Sequence, residues 1–211
     1  NLSENMAAFI AEASAWESDF QIAITTTDLS KGGALVGSPE VLTPSDWELF
    51  LDHVLVGTSG SGTEQGLASA RAALEGPYSA YLRPDAMLAI VVVSDEADQS
   101  PEPATVYLDS FLALKGGDPD RLRLFAIVGP DGGCDTDDGW ADPGVGYLEV
   151  AEATGGATAS ICDPSYADAL AGFGAVAFGP KTHFALASGP EPGSVEVTVD
   201  GEGCEGGWAL D

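Results

Sequence analysis

At 211 residues the chain has room for one large domain, or one domain with a small appendage, and its 45% apolar content suffices for a core. Seven Lys and Arg against 34 Asp and Glu give a formal net charge of −27. That balance argues against nucleic acid and anionic membrane surfaces as partners, because phosphate recognition needs clustered cations.

No apolar run is long enough to enter a membrane; the longest, 86–93, stops at Ser94 and Asp95 and has the length of a buried strand. The acidity has two compatible readings: solubility or a saline habitat, and collection of hard divalent cations by some of the carboxylates.

In chain order, Leu2, Met6, Phe9, Ile10 and Ala13 recur at helical spacing, so residues 2–15 read as a helix. Residues 20–27 (FQIAITTT) are β-branched and end at the turn-former Asp28, and 34–36 could add a short edge strand. Residues 45–56 read as a helix with Ser45 as N-cap and Glu48 three positions on, the pattern of a capping box. A loop of glycines and hydroxyls, 57–63, leads into a helix over 63–74. Next come a strand at 86–94 and a helix at 105–115 closed by Gly116 and Gly117. A strand at 122–128, a helix at 147–153, a strand at 157–162 and a helix at 166–178 complete the series.

Strands separated by helices predict an α/β fold of Rossmann-like type, a mainly parallel sheet with helices on both faces. The tail differs: 194–200 (SVEVTVD) alternates strictly and reads as an exposed strand of a separate β element, with no return partner before the end at 208–211. The domain division is therefore 1–182 and a β extension, 183–211. Trp16, Trp47, Trp140 and Trp208 share no spacing and are expected in the core or over it as lids.

Cys134, Cys162 and Cys204 lack C-x-x-C spacing, and His53 and His183 are the only histidines, so zinc is not supported. A Cys134–Cys162 disulfide, formed in an oxidising compartment, is the preferred reading. It leaves Cys204 for a partner outside this segment. His53 reads as a packed or surface histidine.

Ligands of open α/β sheets bind beyond the carboxyl ends of the strands. That rule selects 25–28, 57–63, 94–100 and the loop after Val128. The 57–63 loop fails as a phosphate cradle, since Thr63 and Glu64 stand where Lys and Ser/Thr are required. It also fails as a nucleophile elbow, and no pairing of Ser59 with a histidine is indicated. Asp95 and Glu96 could do acid–base work, but with no nucleophile or substrate groove the chain is not expected to be an enzyme.

Strand 91–93 runs into Ser94-Asp95-Glu96-Ala97-Asp98, three carboxylates in four residues. These could cap the next turn. Together with the Ser/Thr loop they could instead form an oxygen-only site suited to Mg²⁺, Mn²⁺ or Ca²⁺. Residues 131–142 (DGGCDTDDGWAD) offer a second metal candidate through Asp131, Asp135 and Asp137, although not in EF-hand register; the alternative is a solvated, disulfide-anchored loop. Asp28 lies near the same end of the sheet but suits a turn.

Over about residues 1–180 the order of elements, with these two loops, resembles the von Willebrand factor A family. The segments GSGTEQGL and VVVSDEADQS are similar, more closely, to secreted, often lipid-anchored A-domain proteins of predatory and gliding bacteria. The resemblance implies a divalent ion at the top of the sheet, Mg²⁺ or Mn²⁺ with Ca²⁺ as the alternative. It assigns the second-loop hydroxyl to Ser61, with Thr63 next by spacing, and the third-loop carboxylate to Asp95. It further implies an extracellular or cell-surface adhesion module, whose ion accepts an acidic side chain from a protein partner.

One departure is plain. The family's Asp-x-Ser-x-Ser motif, and the central strand that carries it, do not occur in these 211 residues. Loss of that strand would bare two ladder edges. The expectation is that the sequence is a piece of a longer protein, or else that a neighbouring subunit donates a strand. The second functional reading follows: a structural subunit of an extracellular assembly, completed by a strand from another segment or chain and open to self-assembly, with a degenerate metal site.

Overall fold

The computed structural model describes residues 2–16, 18–57, 60–137, 139–179, 188–191, 193–204 and 206–209, with backbone alone at 2–4 and 14. Two compact units divide the chain, 1–180 and 181–211.

The first unit is mixed α/β. Its principal sheet has three parallel strands in the order β3 (Leu88–Val93), β4 (Leu122–Val128), β7 (Thr158–Ser160). The β3–β4 register runs from Leu88 opposite Leu122 to Val93 opposite Ile127. Strand β4 is central and apolar throughout apart from Arg123, as a strand covered on both faces must be. Its side chains alternate. Leu122, Leu124, Ala126 and Val128 join Leu67, Tyr107, Phe111, Tyr147 and Val150 in one core. Those residues come from α3 (Gly66–Glu75), α4 (Ala104–Leu114) and α5 (Tyr147–Ala153).

Phe125 and Ile127 point to the second core, formed with Met6, Phe9, Ile10, Leu170 and Phe173. These belong to α1 (Leu2–Ala15) and α6 (Ala167–Phe178), while Phe50 joins from α2 (Phe50–His53). Helices α1 and α6 pack closely at Gly174, where a Cβ would stand 2.7 Å from the Phe9 carbonyl oxygen. Asn5 of α1 accepts from the Tyr166 backbone N–H (3.2 Å), tying the start of α6 to α1.

A second sheet stands apart. β1 (Ile22–Ala23) pairs antiparallel with β2 (Val41–Leu42), and among the described residues no ladder joins it to the principal sheet. The segment entering β3 holds the segment entering β1, through Arg83 donating to the Asp19 carboxylate (2.8 Å) and carbonyl (2.9 Å). At their other ends Gln65 donates to Thr27 O (2.9 Å) and to Gln99 O (3.1 Å). Ile22, Ile24, Ala89, Val91 and Val93 all border the second core and are only partly buried. Among the described residues, the side of β3 away from β4 has no strand partner.

Some expectations are corrected. The helix expected over 45–56 is a 3-10 turn, Trp47–Leu49, followed by the short α2. Ser45 does not cap it: the Asp46 carboxylate takes the Thr43 N–H (3.3 Å) and hydroxyl (2.7 Å), folding a local turn in place of the capping box. Residues 34–36 form no strand; the partner of β1 is Val41–Leu42. None of the four tryptophans is in a core, and each is exposed by more than a third. His53 is buried, its ring against the backbone of Gly37, where no Cβ would fit.

In the second unit, β8 (Thr198–Val199) pairs antiparallel with β9 (Glu202–Gly203). The alternating tail strand therefore does return. Asp200 (φ 52°) and Gly201 (φ 85°) make the two-residue turn, which needs positive φ at both positions and suits an Asp-Gly pair. Cys204 is a free thiol beside this hairpin. Among the described residues no helix is long and apolar enough to cross a membrane.

Candidate functional site

The carboxyl ends of β3 and β4, with the segment entering α3, converge on one end of the first unit. Helix α3 begins at Gly66, three residues later than its sequence pattern indicates, because its first N–H groups are capped from other segments. Gly66 N–H donates to the Tyr147 hydroxyl (3.0 Å), Leu67 N–H to the Asp98 carboxylate (3.2 Å) and Ala68 N–H to Ser100 Oγ (3.0 Å). These are the orphan donors of a helix start, and a carboxylate there also meets the positive end of the helix dipole. Burial, reinforced by the Asp98 carboxylate, holds the Tyr147 phenol well above its ordinary range, so it stays protonated.

Three bonds fasten the segment before α3 to the loop after β3. Gln99 N–H donates to Glu64 O (2.7 Å), Gln65 Nε2 donates to Gln99 O (3.1 Å), and the buried Ser94 hydroxyl donates to the Glu64 carboxylate. The second and third loops are thus brought together, but through Glu64. Burial is the main influence raising the Glu64 pKa, with Asp95 and Glu96 adding to it and the Ser94 hydrogen bond opposing.

Of the expected metal ligands, Ser61 accepts from Thr63 N–H (3.0 Å), closing a small turn. Ser61, Thr63 and Asp95 are all exposed. Thr58 and Ser59 lie outside the described residues. Of the three carboxylates after β3, Asp98 is committed to α3 and Glu96 takes a hydrogen bond from Gln99 (2.6 Å), leaving Asp95 open to solvent. Asp28 serves its own turn, accepting from Ser30 N–H (3.1 Å) and hydroxyl (2.6 Å), and these bonds lower its pKa.

The loop after β4 is stitched to the same rim. Asp142 N–H donates to Asp95 O, and Asp98 N–H to Val145 O, both at 2.9 Å. From this loop projects the hairpin of β5 (Cys134–Thr136) and β6 (Gly139–Ala141), pinned by the Cys134–Cys162 disulfide. Closing a loop between residues 28 apart stabilises the fold by roughly 3–4 kcal/mol on the chain-entropy account. Asp131 sits in the turn before the hairpin, Asp135 on β5 and Asp137 beyond it, all exposed. Asp138 lies outside the described residues. No group of three His, Cys, Asp or Glu arranged to hold a metal occurs among the described residues, here or around Asp95.

The described cations lie largely elsewhere. Arg83, Lys115, Arg121 and Arg123 gather where β3 and β4 begin, and Arg121 pairs with Asp85 and Asp118 (both 3.0 Å). Arg71 pairs with Glu102 (2.6 Å) and lies over the Tyr107 ring. The strand-end rim is left acidic. Sequence reasoning missed Glu64 as a member of it, treating it only as a bar to phosphate; its place three residues before the leucine of α3 was the available signal.

No protein-family model matches the chain, and no curated protein matches it.

Proposed function

We propose that the first unit is a von Willebrand factor A-like binding module of the cell exterior, which recognises a protein partner through a divalent ion at Asp95. The observation that carries this reading is the joining of the hydroxyl-rich loop to the carboxylate loop at the strand ends, with Asp95 left open between them. Ligands of open α/β sheets occupy that position.

The donors are all oxygens, which suits a hard cation, and their number selects among such ions. Ca²⁺ asks for six to eight oxygens, whereas Mg²⁺ keeps most of its water and needs only one or two carboxylates. With Glu64, Glu96 and Asp98 already hydrogen-bonded, Asp95 with Ser61 and Thr63 fits Mg²⁺ or Mn²⁺ better than Ca²⁺. Bound there, the ion would supply an open coordination position for an acidic side chain. Ser61 and Thr63 would orient its water, and Asp95 would neutralise part of its charge. The disulfide is compatible with an extracellular location.

Isothermal titration of the 211-residue chain with Mg²⁺ and Mn²⁺, beside an Asp95→Ala variant, tests this. Binding to the parent that is lost in the variant is expected; equal heats from both would sink the reading.

A second reading is favoured by the divided sheet. β1 and β3 share no ladder among the described residues, although hydrogen bonds tie the segments that flank them, so an extended strand from another segment or subunit could complete one continuous sheet. On that reading the protein is a structural subunit. Sedimentation would show concentration-dependent self-association, and metal titration would give no heat.

A further inference from the structure

The hairpin of β5 and β6 frames a recess of about 250 Å³ beside the Asp95 loop, lined by Gly132, Gly133, Cys134, Asp135, Trp140 and Asp142 among others. We propose that this recess docks a basic peptide segment. An arginine guanidinium would lie on the Trp140 indole, with Asp135 and Asp142 taking its charge.

Three observations converge on that partner. Trp140 is 56% exposed, the most of the four tryptophans, and its indole lines the recess. It is held on a rigid mount: the disulfide pins β5, and Gly133 packs so closely that a Cβ would stand 2.7 Å from the Ala141 carbonyl oxygen. Asp135 is the register partner of Trp140, and side chains directly opposite in an antiparallel pair share one face. The carboxylate and the indole are therefore neighbours.

Charge complementarity selects the occupant. Neither Asp135 nor Asp142 forms an ion pair among the described residues, whose four salt bridges all involve Arg71, Arg83 or Arg121. An indole face attracts a cation that sheds its water readily, which guanidinium does and Mg²⁺ does not. A flat guanidinium can also stack on the ring while donating to two carboxylates, a geometry ammonium lacks. The net charge of −27 would steer a cationic segment toward the molecule.

The proposal does not depend on a metal at Asp95, and its test is run with EDTA present. Fluorescence anisotropy would follow a labelled Gly-Arg-Gly-Arg-Gly peptide, and its lysine counterpart, titrated with the full chain at physiological ionic strength. The arginine peptide is expected to bind more tightly than the lysine one. Trp140→Ala and the Asp135→Asn/Asp142→Asn pair should each weaken it about tenfold. Trp140→Phe should retain part of the affinity, and Asp109→Asn, an exposed carboxylate on α4, should leave it unchanged.

Wild-type affinity in Trp140→Ala overturns the proposal. So does equal loss in Asp109→Asn, which would mean attraction to net charge alone, and so does absence of binding by the parent. None of these results bears on the Mg²⁺ titration.

Discussion

Lys115 carries an ammonium group into the interior. It is 5% exposed and its ammonium donates to the Arg83 carbonyl (2.8 Å), with no carboxylate bonded to it. Burial, then Arg121 and Arg83, lower its pKa below 10.5. Between that lowered value and 10.5 the folded chain binds fewer protons than the unfolded one, so stability rises with pH across the window and the charge is a burden below it. Urea titrations near neutrality and near pH 10 should show the parent gaining relative to Lys115→Met. Equal gain in both would discount the burial argument. The sequence offered no sign of this residue, because Lys115 stands at the end of a helical pattern where a solvated lysine is ordinary. Leu122 to Val128 are the opposite case: apart from Arg123 the run is apolar and marked a strand, and a core fills each of its faces.

At the scale of elements, spacing revealed what local periodicity controls and missed what distant residues control. α1 and α5 have the bounds their apolar spacing indicates. Helix α3 starts later because Tyr147, Asp98 and Ser100 cap it from segments more than thirty residues away. No window of sequence around residue 63 contains that information. The same bonds explain why one of the three carboxylates after β3 is structural. Asp98→Ala should cost about 1 kcal/mol of stability, as loss of an N-cap does, and Asp98→Asn less. Both should bind Mg²⁺ as the parent does; chemical denaturation with parallel metal titration checks the pair. If Asp98→Ala abolished metal binding while remaining folded, Asp98 would have to be counted a ligand.

For the whole molecule, the order of β3, β4 and β7 and of α1, α3, α4, α5 and α6 was legible because each carries its own period, whereas β2, the hairpin of β5 and β6, and β9 were not. The divided sheet was not, since strand pairing is a relation between segments and neither β1 nor β3 records its neighbour. The candidate metal site was half legible: the loops could be named, but the role of Glu64 in joining them depends on the fold. Net charge acts at this scale too. Mutual repulsion of the uncompensated carboxylates opposes compaction, so moderate NaCl should raise the melting temperature.

Among the described residues β3 is an edge strand, and that edge gives the salt a second, opposing effect. Leu88–Val93 (LAIVVV) contains no proline, glycine or charge, and such six-residue stretches stack into dry, self-templating ladders when their edges meet. Electrostatic repulsion between molecules is what delays the meeting. Raising the salt should therefore shorten the lag before thioflavin-positive fibrils form in concentrated samples, even as it raises the melting temperature. Shelf life and thermal stability would then move in opposite directions with one variable.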